Sequence, residues 1–216
     1  MVKQVVIKST DKKVISSRSL LILKPTHKEI KRLKAEAHYP SIHGHKVWNS
    51  SFLVMDYLSR NKPSKNSTLM DLGCGWGLLG IYAAKKLNTK VIGIDADADV
   101  FPYLDLHAEL NGVSIKTKKR YFEKLTKSDF DGVETVVGAD ICFWDKLAPV
   151  LYKMMKRAIK AGTKKIIIAD PGRDPFYQLV AMCEDEKLFK CKVVEKTTSK
   201  PTEACADLLI VTPAKK

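Results

Sequence analysis

Met70-Asp71-Leu72-Gly73-Cys74-Gly75-Trp76-Gly77-Leu78-Leu79-Gly80-Ile81 is the stretch on which the fold of this chain turns. The apolar run 68–72 enters it as a short buried strand, and the run 78–87 leaves it as a helix. Glycine fills alternate positions between them, where it permits positive φ and lets a ligand approach the backbone closely. Downstream the same rhythm repeats. Residues 91–94, 114–119, 135–139 and 165–169 have the pattern of strands, and 100–111, 146–161 and 177–186 that of helices. The runs 191–195 and 206–212 suit a closing antiparallel pair. Strand and helix in alternation imply an α/β fold, a doubly wound, mostly parallel sheet with helices on both faces. Ligands of such sheets lie beyond the carboxyl ends of the strands, so residues that follow strands carry the function.

Upstream the pattern changes. Residues 1–24 alternate loosely (Val5, Ile7, Val14, Ile15, then Leu20 to Leu23) and predict one or two strands or an arm. Pro25-Thr26 opens a helical pattern through Ile30, Leu33 and Ala37, with Thr26 as its cap and Glu29 three residues on. Residues 39–45 read as a polar loop, and 47–58 as an amphipathic helix broken at Asn61-Lys62-Pro63-Ser64. The expected division is a basic N-terminal strand and helix extension, 1–66, ahead of a ligand-binding core, 67–216.

Composition narrows the function. The 216 residues are 45% hydrophobic and 29% charged, the balance of a soluble globular chain, and no segment approaches the ~20 apolar residues of a membrane span. The start has no apolar run of signal-peptide length. Five cysteines without a Cys-x-x-Cys pair read as reduced thiols, which points to a cytoplasmic protein without a zinc site. The net charge is +14, and residues 1–66 hold 14 basic against 4 acidic groups, or +10 of it. Such a block attracts phosphates, as of RNA, or an acidic protein face, and is equally what a lysine-rich soluble surface looks like.

Two readings of the glycines compete. Gly75-x-Gly77-x-x-Gly80, with Asp95 twenty residues past Gly75, matches a dinucleotide fingerprint. The wider Asp71-x-Gly73-x-Gly75-x-Gly77, with the acid inside the strand end, resembles the glycine motif of class I S-adenosylmethionine (SAM)-dependent methyltransferases. That resemblance implies a Rossmann-like sheet of seven strands with the last antiparallel. It also implies that Asp71 helps hold the methionine amino group of SAM and that Gly73, Gly75 and Gly77 pass beside methionine and ribose. Asp95, after the next strand, corresponds to the ribose-binding acid, and Tyr121 or Phe122, after the third, to the adenine wall. A pyrophosphate needs a helix N-terminus free of nearby negative charge, and Asp71 would repel one. Without the resemblance, Asp71 and Asp95 read as capping or turn acids and Tyr121 and Phe122 as core aromatics.

The segment after the fourth core strand, Gly138-Ala139-Asp140-Ile141-Cys142-Phe143-Trp144-Asp145, bears on the methyl acceptor. It lacks the Asp/Asn-Pro-Pro-Tyr/Phe loop of base N-methylation, and the chain has no Pro-Cys, so Cys142 reads as a small buried residue. Asp140-x-x-Phe143 resembles the Asp-x-x-Tyr/Phe motif of the seven-β-strand protein-lysine methyltransferases. Asp170-Pro171-Gly172-Arg173, and Trp48 with Tyr57-Leu58 nine residues on, resemble the branch acting on the electron-transfer flavoprotein β-subunit. The resemblance implies a protein-lysine acceptor with Asp140, Phe143 and Trp144 as catalytic residues, and Trp48 and Asp140 beside the cofactor. The chain departs from it in Asn49-Ser50-Ser51 and in Phe143-Trp144-Asp145. An RNA or small-molecule acceptor stays open, as does a helix-capping role for Asp140. His43 and His45 read as loop or pocket residues. Arg173 reads as a binder of a substrate carboxylate or phosphate, or as half of a salt bridge. The oligomeric state is not legible.

Overall fold

The computed structural model describes residues 11–36, 39–41, 43–44 and 46–214. Strands β1 (Val14–Ser17) and β2 (Leu20–Leu23) form an antiparallel hairpin, while Val5 and Ile7 lie outside the described residues. Helices α1 (Lys28–Ala35) and α2 (Ser50–Arg60) follow. Then come β3 (Thr68–Leu72), α3 (Leu78–Leu87), β4 (Lys90–Asp95), α4 (Phe101–Leu110), β5 (Lys116–Lys119) and β6 (Val133–Ala139). The chain closes with α5 (Leu147–Ala161), β7 (Lys165–Asp170), α6 (Asp174–Glu184), β8 (Phe189–Thr198) and β9 (Ala204–Pro213).

Seven strands make one sheet in the order β5-β4-β3-β6-β7-β9-β8. β5, β4, β3, β6 and β7 are parallel, and β9 runs antiparallel to both β7 and β8. The order reverses between β3 and β6, so the crevice above their carboxyl ends is the switch point where this architecture binds ligands. Alternation along the strands feeds two apolar layers. Leu69, Ile167 and Ala169 join α2, α3 and α4 on one face, while Met70, Ile166 and Ile168 join α5 and α6 on the other. Central strands buried on both faces explain the nearly continuous apolar runs that marked them in the sequence.

The first layer also takes in Val14, Leu20, Ile22 and Leu23 of the hairpin and Ile30 and Leu33 of α1. Polar side chains of α4 dock the hairpin. The Asn111 carboxamide accepts the Leu21 N–H and donates to the Leu21 carbonyl, both at 2.9 Å, in place of a neighbouring strand. His107 Nε2 accepts the Leu23 N–H at 3.1 Å, and its Nδ1 lies 2.7 Å from the Tyr103 carbonyl. Burial pushes the His107 pKa down to about 4, so the ring is neutral with its proton on Nδ1.

Two local expectations are corrected. α1 is capped by His27, not Thr26: the His27 N–H still closes a turn onto Lys24, and its Nδ1 accepts the Glu29 N–H at 3.2 Å. Thr26 stands one residue too early to reach the helix amides. α2 starts at Ser50, so Trp48 precedes it on the loop and does not ride on a helix face.

Candidate active site

The glycine loop joins β3 to α3 with Gly73, Gly75 and Gly77 at φ 59°, 49° and 76°. A Cβ on Gly73 would meet Ile141 Cγ2 at 2.6 Å, and one on Gly77 would meet Leu104 Cγ at 2.5 Å. Gly75 faces open space, its nearest neighbour being the Gly73 carbonyl at 4.0 Å. Packing therefore demands the first and third glycines, and the second leaves the loop open to a ligand. Asp95, at the end of β4, ties this loop down: Oδ2 accepts the Gly75 N–H and Oδ1 the Asp97 N–H, both at 3.0 Å. Burial raises its pKa against those two bonds.

Asp71 and Gly77 do not line the cavity above the loop. Asp71 is buried behind it, where Oδ2 accepts the Gly80 N–H of the first turn of α3 at 3.0 Å. Burial pushes its pKa up to about 8, opposed by the Gly80 bond and reinforced by Asp95. The sequence offered turn acid and ligand acid as alternatives for Asp71 and Asp95. Both bond local amides, and Asp95 alone also reaches the cavity wall.

Trp76 serves a purpose the sequence did not suggest. Its ring stacks on Tyr103 (5.3 Å between centroids, 4° between planes) and on His107. Its Nε1 donates to the Gly44 carbonyl at 2.9 Å. Ser41 donates its N–H to Asp97 Oδ2 at 2.5 Å. These bonds pin the loop that precedes α2 over the glycine loop.

The cavity between the two loops and the end of β6 measures about 210 Å³. Gly73, Gly75, Asp95, Tyr121 and Phe122 line it together with Trp48, Asp140, Phe143 and Trp144. His43, Lys46, Glu123, Ile141 and Lys146 are also on the wall. His45 lies outside the described residues. The His43 ring sits edge-on to Phe143 at 4.9 Å and to Trp48 at 6.1 Å, and Phe143 meets Trp144 at 4.6 Å. Trp48 Nε1 donates to the His43 carbonyl at 3.0 Å. Lys46 Nζ stands 4.2 Å over the Trp48 ring and Lys146 Nζ 4.8 Å over Trp144. Tyr121 is half exposed, which removes it from the core.

Asp140 follows β6 with φ 59°, held by its N–H donating to the Ala169 carbonyl at 2.9 Å. It does not cap a helix, since α5 begins seven residues on with Lys146 before it. Instead Oδ1 accepts from Arg173 Nη2 at 2.7 Å, and Arg173 Nη1 reaches Asp170 Oδ2 at 3.0 Å. Asp170 Oδ1 takes the N–H groups of Gly172 and Arg173 at 3.1 and 2.9 Å. Arg173 is thus engaged in a salt bridge. Asp140 Oδ2 is buried with no hydrogen-bond partner among the described residues. Cys142 is buried, and burial next to Asp170 lifts its pKa to about 12, so it has no nucleophilic thiolate.

Five parallel strands, a closing antiparallel pair, a glycine loop after the first strand of the sheet and an acid after the second define the class I SAM-dependent methyltransferase architecture. A family model for lysine methyltransferases matches residues 27–182, and the chain belongs to that family. The electron transfer flavoprotein beta subunit lysine methyltransferase of Xenopus laevis is 29% identical over 112 residues, 52% of this chain and 45% of that protein. The ribosomal protein L11 methyltransferase of Caldicellulosiruptor bescii is 36% identical over 73 residues, 34% of this chain and 24% of that protein. The chain thus spans less than half the length of these two relatives. Among solved structures, TrmN from Thermus thermophilus superposes with a TM-score of 0.60 at 13% identity, covering 90% of this chain and 56% of that one. Family and fold imply SAM as the methyl donor, and the residues present fit it. Gly75 leaves the loop backbone unobstructed, and Asp95, Tyr121 and Phe122 share the cavity wall with it.

Proposed function

We propose that this protein is a SAM-dependent methyltransferase whose acceptor is a lysine side chain of another protein. The observation that carries the reading is Asp140, a wall residue of a cavity shared with His43, Trp48, Phe143 and Trp144, whose buried Oδ2 has no hydrogen-bond partner among the described residues. A buried acceptor left unpaired costs about 1–3 kcal/mol, so the site suits a substrate that brings an N–H donor. In this reading Asp95 bonds the ribose hydroxyls, Tyr121 or Phe122 covers the adenine, and Gly73 and Gly75 flank the methionine portion. Asp71 and Gly77 support that loop from behind. Residues 67–216 are the cofactor-binding core, and residues 1–66 bring His43 and Trp48 to the substrate side.

SAM supplies an electrophilic methyl group on a sulfonium. The protein's part is alignment, exclusion of water and management of one proton. A lysine amine with its ordinary pKa near 10.4 is neutral about once in a thousand at pH 7.4. Loss of water around the amine and the positive charge of the sulfonium both disfavour the ammonium and so raise the reactive fraction. Asp140 Oδ2 takes one amine N–H and turns the lone pair to the methyl donor. No described helix is long and apolar enough to cross a membrane. With the described cysteines unpaired, the reading includes a cytoplasmic location.

The test is incubation with methyl-labelled SAM and cell extract, divided between protease and ribonuclease. Label that protease releases and that hydrolysis returns as methyl-lysine supports the proposal. Label lost with ribonuclease moves the acceptor to RNA, which the basic charge of residues 1–66 would then explain.

A further inference from the structure

We propose that Arg173 is a positioning residue for methyl transfer. Bridging Asp140 and Asp170, it turns the free oxygen of Asp140 to the acceptor amine and offsets the negative charge that would keep that amine protonated. The inference rests on the lysine reading above and assigns a purpose to a residue that is not among those lining the cavity.

Three features support it. First, the carboxylate is fixed from both sides. The backbone of Asp140 is locked in the left-handed region by its bond to Ala169, and Oδ1 is committed to Arg173 Nη2 at 2.7 Å. With Oδ1 so committed, Oδ2 is the oxygen left for the amine, and it has no partner among the described residues. Second, the guanidinium is itself held. Asp170 is fully buried, grips Nη1 at 3.0 Å, and is anchored by the Gly172 and Arg173 amides. The planar guanidinium reaches two different carboxylates with two separate nitrogens held in one fixed fork, whereas an ammonium would have to meet both from a single nitrogen.

Third, the charges matter to the chemistry. A carboxylate beside an amine stabilises its protonated form, which cannot accept a methyl group. A cation on the far oxygen of the same carboxylate reduces that effect while leaving Oδ2 able to accept a hydrogen bond. The side chains of Asp140 and Arg173 are 4% and 27% exposed, so water screens this effect only in part. The other charged or titratable groups near the amine position are Asp170 and Cys142 beneath it, and His43, Lys46, Asp95, Glu123 and Lys146 around the cavity. Burial raises the pKa of Asp170, while the Arg173 amide and guanidinium oppose the rise. Loss of the guanidinium would leave two carboxylates facing each other.

The experiment compares Arg173→Lys and Arg173→Met with the wild type on the protein substrate recovered from the labelling experiment. SAM affinity by calorimetry, the thermal midpoint and kcat as a function of pH are read for each. The expected result is SAM affinity within about threefold of wild type and a kcat at pH 7.4 at least about tenfold lower in the methionine variant. The rising limb of its kcat profile should move to higher pH by about one unit, with the lysine variant in between. In an Asp140→Asn background the methionine change should cost little more, because Arg173 acts through that carboxylate. A profile whose midpoint does not move, with activity lost only in step with folded protein, overturns the proposal and leaves Arg173 structural. If the wild type labels RNA and no lysine, the lysine reading has failed, and this inference fails with it for a different, recognisable reason.

Discussion

Asp95 and Asp140 both end parallel strands and both line one cavity, yet their surroundings set them to different tasks. Asp95 has each oxygen bonded to a backbone amide of a loop beside it, so it holds shape as well as offering lone pairs to a ligand. Asp95→Ala is expected to weaken SAM binding by about 10- to 1000-fold, through lost charge-assisted hydrogen bonds and a slackened Gly75. Calorimetry with SAM and with NAD decides it: unchanged SAM affinity, or tight NAD binding by the wild type, would refute the assignment. Asp140 has one oxygen tied and one without a partner among the described residues. Asp140→Asn keeps an acceptor for Arg173 but puts an NH2 donor where Oδ2 stands, so SAM affinity should hold within about threefold while turnover drops tenfold or more. Wild-type turnover at saturating SAM would take Asp140 out of the site. The sequence marked both acids because each follows an apolar run. It left Arg173 between two roles, because its partner Asp140 lies 33 positions away and only the pairing of β6 with β7 brings them together.

Among the elements, those with a strong period were legible: β3 and α3 occupy the residues their patterns predicted. The polar joints were not. Trp76 looks like a bulky intruder among glycines, and its use appears only when Tyr103, His107 and Gly44 converge on it. His107 likewise passed as one residue of a helix, and it holds the hairpin. Its pH behaviour follows by linkage. The folded pKa is about 4, below the ordinary 6.5, so in that window the unfolded chain binds more protons than the native one. The native state gains stability as pH rises from about 4 to 6.5 and loses it on acidification, because a proton on Nε2 breaks the Leu23 bond. The full effect is on the order of 3 kcal/mol. His107→Gln has no such titration, so its melting temperature should vary less than the wild type's between pH 4 and 6.5. Protection of the Leu23 amide from hydrogen exchange, taken relative to the intrinsic rate at each pH, should fall on acidification in the wild type alone. Parallel melting curves for the two proteins would show that the hairpin is held by other contacts. Asp71, with a pKa raised to about 8, opposes this trend as pH rises, and the comparison between variants cancels it.

On the scale of the whole molecule, the uneven charge remains to be connected with the site. The +10 of residues 1–66 sits on the part of the chain that carries His43, Lys46 and Trp48 to the cavity. Lys46 and Lys146 lie over tryptophan rings, and neither forms an ion pair among the described residues. Their ammonium groups are therefore held near the cavity without being neutralised. A protein substrate with carboxylates around its target lysine would be drawn to such a surface, and the attraction would act over a Debye length, about 10 Å at 0.1 M salt and about 3 Å at 1 M. Encounter is sensitive to that screening, whereas the buried Asp140–Arg173–Asp170 arrangement and the ribose bonds of Asp95 are not. Raising salt from about 0.05 to 0.3 M should accordingly raise KM for the protein substrate about fivefold or more. The kcat at saturation and the SAM affinity should change less than about twofold. Lys46→Glu with Lys146→Glu should reproduce the KM effect at low salt and flatten its salt dependence. If KM is indifferent to salt in the wild type, the basic surface takes no part in capturing the substrate. If kcat falls along with KM's rise, the salt is disturbing the site itself, and charged approach and buried chemistry are not separate.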